Sequence, residues 1–346
     1  MNRLDFARIL DSIVVPEGVP TNEIRKQVFP ISQASYEMLP RSLFRYRPIG
    51  NNQIQAFEED IIYTVTADRY NDPYDTLVKC DVDRIKEFIR RVLSVESLTQ
   101  LKAYIQQGKG IPEEIKRGSP NASWDVIEAR LLATDDISSL QSDIDCFLAQ
   151  FSSLIDVMLP IISKKSKQFA AYACFSEVVD SILMWSHYAE SHKGFVLEYD
   201  FRPTLAKPIK NTLILPVVYS DERLDASAYM VWALITMMGG IMGGKIPNPD
   251  MLAHIKVALH KSMEWEYEKE WRMIEGTPRM NPLDNTPSPV IYKPVAIYYG
   301  CEMTPEKKRQ LHEIAATKGI REYEMYIDLY SSKYEMKYRE VGGGIY

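Results

Sequence analysis

Cysteine is scarce and scattered in this sequence. Cys80, Cys146, Cys174 and Cys301 lie far apart, with no C-x-x-C pair among them. That spacing argues against a zinc ribbon or a disulfide framework and fits reduced thiols in a cytosol. An excess of positive charge is also missing: 47 acidic residues outweigh 41 basic ones, for a formal charge of −6. The chain therefore lacks the overall basic field that supplies most non-specific nucleic-acid affinity, leaving only a local basic patch for such binding. Long apolar runs are absent too. The longest one noted, residues 229–242, falls short of the ~20 residues that span a bilayer and ends in glycines. We read it as a buried helix, or as an interface helix of a homo-oligomer, and expect no membrane association. The first residues carry an acid early and lack the basic, apolar and small-residue order of a signal peptide, so a cytoplasmic location is expected.

What is present is an ordinary globular composition, 46% hydrophobic and 25% charged, far from the disordered regime. The texture divides the chain into an N-terminal helical arm over residues 1–40, a single α+β domain over 41–330 and a C-terminal tail over 331–346. Leu43-Phe44-Arg45-Tyr46-Arg47 and Ile61-Ile62-Tyr63-Thr64-Val65-Thr66 read as strands, as do Phe169 to Phe175 and Phe195 to Tyr199. Residues 82–168 lose that texture: Ile85, Phe88, Ile89 and Val92 follow helical spacing, which predicts a helical insertion. Strands and helices interleave without regular βαβ alternation, so the expected fold is α+β with a mixed, mainly antiparallel sheet core.

Chemistry gathers in a few segments. If residues 263–274 form one strand, Glu266, Glu268, Glu270 and Arg272 share a face opposite Trp265, Tyr267 and Trp271. Neighbouring acids on one face repel, so a fold keeps them only if a cation offsets them, and Arg272 supplies one. The bland account is a Glu-Arg ladder on a half-solvated sheet. Tyr70-Asn71-Asp72-Pro73-Tyr74-Asp75 reads as a helix start, with Asn71 or Asp72 capping and proline at the first position. Thr64 and Thr66 just before it would place hydroxyls beside a helix N-terminus, an anion or ribose site. Arg45 and Arg47, alternate residues of one strand, can fork onto phosphate; surface solvation is the plain alternative. His187 and His192 have the wrong spacing for a helical zinc pair, so no metal is expected and His187 is read as a core or substrate-bonding histidine. The run Gly239 to Lys245 fits G-x-x-x-x-G-K, but Ile246 stands where Ser or Thr must hold magnesium, so it is read as flexible glycines.

The pieces Leu43 to Arg47, Arg69 to Asp75, Cys174-Phe175-Ser176-Glu177, Met184 to Tyr188 with His192-Lys193-Gly194, and Tyr267 to Arg272 closely resemble a bacterial family catalogued as domain of unknown function 2971 (DUF2971). The pattern spans roughly residues 40–300. In its order of an arginine strand, a hydroxyl strand and an E-x-E pair, the chain is also similar in layout to ADP-ribosyltransferases of the Arg-Ser-Glu type. That layout implies NAD as co-substrate: Glu270 would stabilise the cation that develops at the ribose, and Glu268 would position or deprotonate the acceptor. Arg45 or Arg47 would hold pyrophosphate, Thr64 and Thr66 would take the hydroxyl places, and Tyr70 would stack on nicotinamide. The hydroxyl strand departs from the pattern in coming early and reading T-x-T. The partners implied are a small nucleotide and an acceptor macromolecule, and the role that of a bacterial phage-defence effector or toxin. Two alternatives stand beside it: a metal-dependent nuclease or phosphoesterase using Asp72, Asp75, Glu177, Glu268 and Glu270, and a non-catalytic binding or regulatory module.

Overall fold

The computed structural model describes residues 1–92, 94–110, 124–205, 207–209, 211–229, 232, 250–277, 279 and 286–342. Apart from Tyr229 and Trp232, the apolar run 229–242 lies outside the described residues, and so does the glycine-rich 239–245 segment.

The strands are β1 (Leu43–Arg47), β2 (Ile61–Thr66), β3 (Ala171–Ser176), β4 (Phe195–Tyr199), β5 (Thr212–Pro216), β6 (Val218–Ser220), β7 (His260–Ser262), β8 (Glu270–Glu275), β9 (Ser288–Ile291), β10 (Ala296–Tyr299), β11 (Arg321–Ile327) and β12 (Met336–Glu340). The main sheet runs β12-β11-β10-β4-β1-β3-β2-β9, with β8 joined to β3 and β5. Among the described residues of this sheet only β10 and β11 pair in parallel, and the helix Pro305–Lys318 makes the crossover that a parallel pair requires. That helix has its stops written in sequence: Thr304 caps the Lys307 N–H, Pro305 opens the first turn, and Gly319 closes it at φ +62°. The fold is α+β with a mainly antiparallel mixed sheet, as the interleaved elements predict.

One irregularity of pairing positions everything that follows. β1 pairs with β4 along its whole length but meets β3 only at Phe44↔Ser176. The opposite end of β3 is taken by β2, through Val65↔Tyr172 and Thr66↔Ala171, while its other edge pairs with β8. Between these two contacts the sheet opens, and residues 45–47 of β1 face residues 173–175 of β3 across a gap.

Helices cover the sheet. Arg3–Ser12 and Thr21–Met38, in the segment expected as an arm, bury Phe6, Leu10 and Ile31 against Tyr172, Leu215 and Ile274. A second cluster unites Phe57, Phe175, Phe195, Trp271 and Leu311, and a third unites Tyr46, Trp185, Val196 and Tyr298. Residues 82–166 supply helices between β2 and β3; Ile85, Ile155 and Leu159 pack there on Val78 and Val257. Among the described residues the helical run Ile137–Lys165 is long and apolar enough, by length and composition, to cross a membrane. The sequence places this stretch within the expected helical insertion over 82–168, as a helical run from Ile144 to Ile162 and not as a span. The expected tail also holds structure, since β12 pairs with β11 from Met336↔Ile327 to Glu340↔Tyr323.

Because Phe6 is fully buried against the main sheet, Phe6→Ala is expected to cost about 3–5 kcal/mol in urea denaturation. A loss below about 1 kcal/mol would mean that the N-terminal helix is not part of the core.

Candidate functional site

The gap in the sheet is the mouth of a cavity of about 210 Å³. β1 contributes Phe44 to Arg47, β3 contributes Cys174 and Phe175, and the 70–75 turn contributes Tyr70, Asn71 and Asp75. Met184 and Tyr188 come from the helix Ile182–Tyr188, and Lys261, Glu268 and Glu270 close the far wall.

The β1 wall is cationic. Arg45 donates to the Tyr63 carbonyl at 3.1 Å and its guanidinium stands 5.6 Å from the Phe175 ring. Among the described residues neither Arg45 nor Arg47 forms an ion pair. Burial and the adjacent Arg45 charge bring the Arg47 guanidinium down to about 9. It remains charged at neutral pH, but as a cation short of an anion.

The opposite wall is a buried charge network. Arg272, with no exposed surface, holds Asp75 in a two-pronged pair at 2.9 and 2.8 Å and meets Glu270 Oε1 at 2.8 Å. Lys261 bridges Glu270 Oε2 at 2.9 Å and Glu268 Oε2 at 2.6 Å. Tyr188 donates to the remaining Glu268 oxygen at 2.6 Å and accepts from Asn71 at 3.4 Å. Arg272 also lies 4.2 Å from the centre of the Tyr172 ring, which stacks on Tyr70 at 4.9 Å. Three carboxylates thus share two cations, and the two acids of the E-x-E pair are driven apart. Burial opposes the Glu270 charge, but Arg272 and Lys261 override it and hold that carboxyl well below its usual range. Burial and the Glu270 charge push Glu268 up to about 7, against the pull of Lys261. One carboxylate is fixed as an anion and the other is poised to exchange a proton near neutrality.

Several expectations need correction. Residues 263–274 are not one strand: Met263–Glu268 is a 3₁₀ helix capped by Ser262, and Lys269 at φ 45° turns the chain into β8. Glu268 and Glu270 still line one cavity, because that turn brings both to Lys261. The 71–76 segment is a turn rather than a helix start; Asp72 Oδ1 accepts from the Tyr74 N–H at 2.8 Å. Thr64 and Thr66 lie outside the cavity: Thr64 donates to Glu275 at 2.6 Å and Thr66 to Asp68 at 2.5 Å. His187 is exposed and meets the Tyr267 hydroxyl at 3.1 Å, while its neighbour Tyr188 faces the site. Asp72 belongs to a different cavity. Tyr70 lines the site but already stacks on Tyr172. Three polar lining residues were given no role in advance: Tyr188 and Cys174, which stand in the motifs quoted for the resemblance, and Lys261, which stands in none. Only a count of charge could have sought Lys261, since three buried acids need more than Arg272.

Residues 184–273 match the family model described as protein of unknown function (DUF2971). The match takes in the Met184 to Tyr188 and Tyr267 to Arg272 pieces; the Arg45, Asn71 and Cys174 pieces lie before it, yet they line the same cavity. No curated protein and no solved structure matches the chain.

Breaking a buried pair strands its partner, so Asp75→Ala is expected to lower stability by about 3–5 kcal/mol; a loss under 1 kcal/mol in chemical denaturation would contradict the network. A pH series gives a second test. Glu268 is raised above its ordinary 4.5, so its stabilising contribution is whole below that value and is lost as pH rises through about 7. Between pH 5 and 8 the wild type should therefore lose stability relative to Glu268→Gln. Parallel curves would refute the assignment.

Proposed function

We propose that the cavity binds the nicotinamide-ribose and phosphate portion of NAD, and that the chain transfers ADP-ribose to an acceptor or to water. The observation that carries this reading is the two-sided wall: unpaired Arg45 and Arg47 on one strand, facing a fixed anion and a proton-exchanging acid across a gap in the sheet. Phosphate answers the first wall, since paired guanidinium forks bind its oxygens with charge assistance. A sugar that turns cationic answers the second.

In the reaction the bond between ribose C1′ and the nicotinamide nitrogen breaks, its electron pair leaving on nicotinamide. The ribose becomes oxocarbenium-like, and the charge of the buried Glu270 offsets it. The acceptor oxygen or nitrogen bonds to C1′ and gives up its proton to Glu268, whose position near neutrality suits a general base. Lys261 and Tyr188 hold the Glu268 carboxylate in place. A cavity of about 210 Å³ is too small to enclose a whole dinucleotide, so the adenosine end would stay at the open mouth.

The network dictates which variants are informative. Glu270→Gln leaves Arg272 and Lys261 undercompensated, so its loss of activity would be mixed with loss of stability. Arg47→Gln removes an unpaired, half-buried cation; thermal stability should hold or rise while NAD binding weakens by about tenfold or more. Glu268→Gln should cost about 10²-fold or more in nicotinamide release and erase the rise in rate through pH 7. Nicotinamide release is followed by chromatography, with and without a chelator. No NAD binding by the wild type, or chelator-sensitive cleavage of nucleic acid in its place, would overturn the reading.

A further inference from the structure

The 71–77 turn divides its side chains between two cavities. Asn71 and Asp75 line the one just described, while Asp72, Tyr74 and Thr76 line a second of about 430 Å³, walled also by Trp265 and Glu264. Asp72 is 4% exposed and Thr76 2%, yet among the described residues Asp72 Oδ2 and Thr76 Oγ1 have no hydrogen-bond partner. Buried polar atoms in a native structure are almost always satisfied, so two orphans on one turn call for a third participant. Nearby side chains do not serve. The Lys167 ammonium is spent on the Asp72 and Pro73 carbonyls, and Lys261, which lines both cavities, is committed to Glu268 and Glu270. Thr76 also sits at φ 58°, a left-handed conformation that β-branched residues rarely adopt.

The missing partner must donate. Asp72 Oδ2 only accepts, the Thr76 hydroxyl can accept, and Asp221, Glu222 and Glu264 add acidic charge that outweighs Arg223 and His260 on the rim. The Tyr74 ring supplies a face that attracts cations, and the Trp265 ring one that it shares with the Lys261 ammonium at 4.8 Å. We infer that this second cavity is a binding site for a protonated primary amine, whose ammonium group donates to Asp72 Oδ2 and Thr76 Oγ1. The inference does not depend on what occupies the first cavity.

Calorimetric titration of the full chain with n-butylammonium chloride tests it, with n-butanol as the neutral isostere and no nucleotide present. The wild type should bind butylammonium saturably and butanol not at all. Asp72→Asn keeps the oxygen that accepts from Tyr74 and should weaken binding at least tenfold. Thr76→Gly relieves the left-handed backbone; it should raise the melting temperature and still weaken binding several-fold, which gives a readout even if the Asp72 variant folds poorly. Equal binding of the two probes, undiminished binding by either variant, or no saturable binding by the wild type would overturn the inference.

Discussion

Arg272 is a permanent charge with no exposed surface in the middle of β8, and the surrounding architecture answers the demand it creates. A guanidinium taken out of water is tolerated only when its donors are met by carboxylates in good geometry. Asp75 and Glu270 meet it, and each brings structure with it. Asp75 draws the 70–76 turn against the sheet, and Glu270 starts β8 beside β3. With the turn held there, β3 pairs with β2 at one end and β1 at the other. The gap between these pairings is the cavity. The N-terminal helix reinforces the arrangement through Arg3, which donates to the Glu270 carbonyl at 2.8 Å and to Glu177 at 2.6 Å.

The same network sets the chemistry. Once Arg272 and Lys261 have fixed Glu270 as an anion, a second ionised carboxyl beside it is disfavoured, and Glu268 takes the proton-exchanging role. Across the gap β1 carries two cations that form no ion pair among the described residues. A folded chain that keeps like charges close and unpaired gives up stability at that point, and such sacrifices concentrate where a ligand supplies the compensation. The cavity is polarised from the Arg45–Arg47 wall to the Glu268–Glu270 wall, which matches a ligand with phosphate at one end and incipient positive charge at the other.

Much of this was legible in the sequence. β1 and β2 follow from their β-branched and aromatic texture, the α+β class from the irregular interleaving of elements, and the residues that meet at the gap from motifs scattered between 44 and 270. What escaped was set by contacts of long range or by single backbone angles. Alternation alone made residues 263–274 one strand; the Ser262 cap and the left-handed Lys269 break it. His187 was preferred to Tyr188 by residue type, but neighbours on a helix point about 100° apart, and only tertiary packing decides which enters the site. Lys261 has no motif, because its partners come to it through that same turn. Asp72-Pro73 promised a helix, whereas the bond between Asp75 and Arg272, distant in sequence, holds the segment as a turn.

The claim that the gap between β1 and β3 is the ligand site is tested most directly by hydrogen–deuterium exchange with and without NAD. Backbone groups of residues 45–47 and 173–175 border the opening, so a bound dinucleotide should slow exchange in peptides covering them and in the 70–76 turn. Peptides covering β11 and β12, at the far edge of the sheet, should not change. Protection confined to that far edge, or no protection at saturating NAD, would contradict the account.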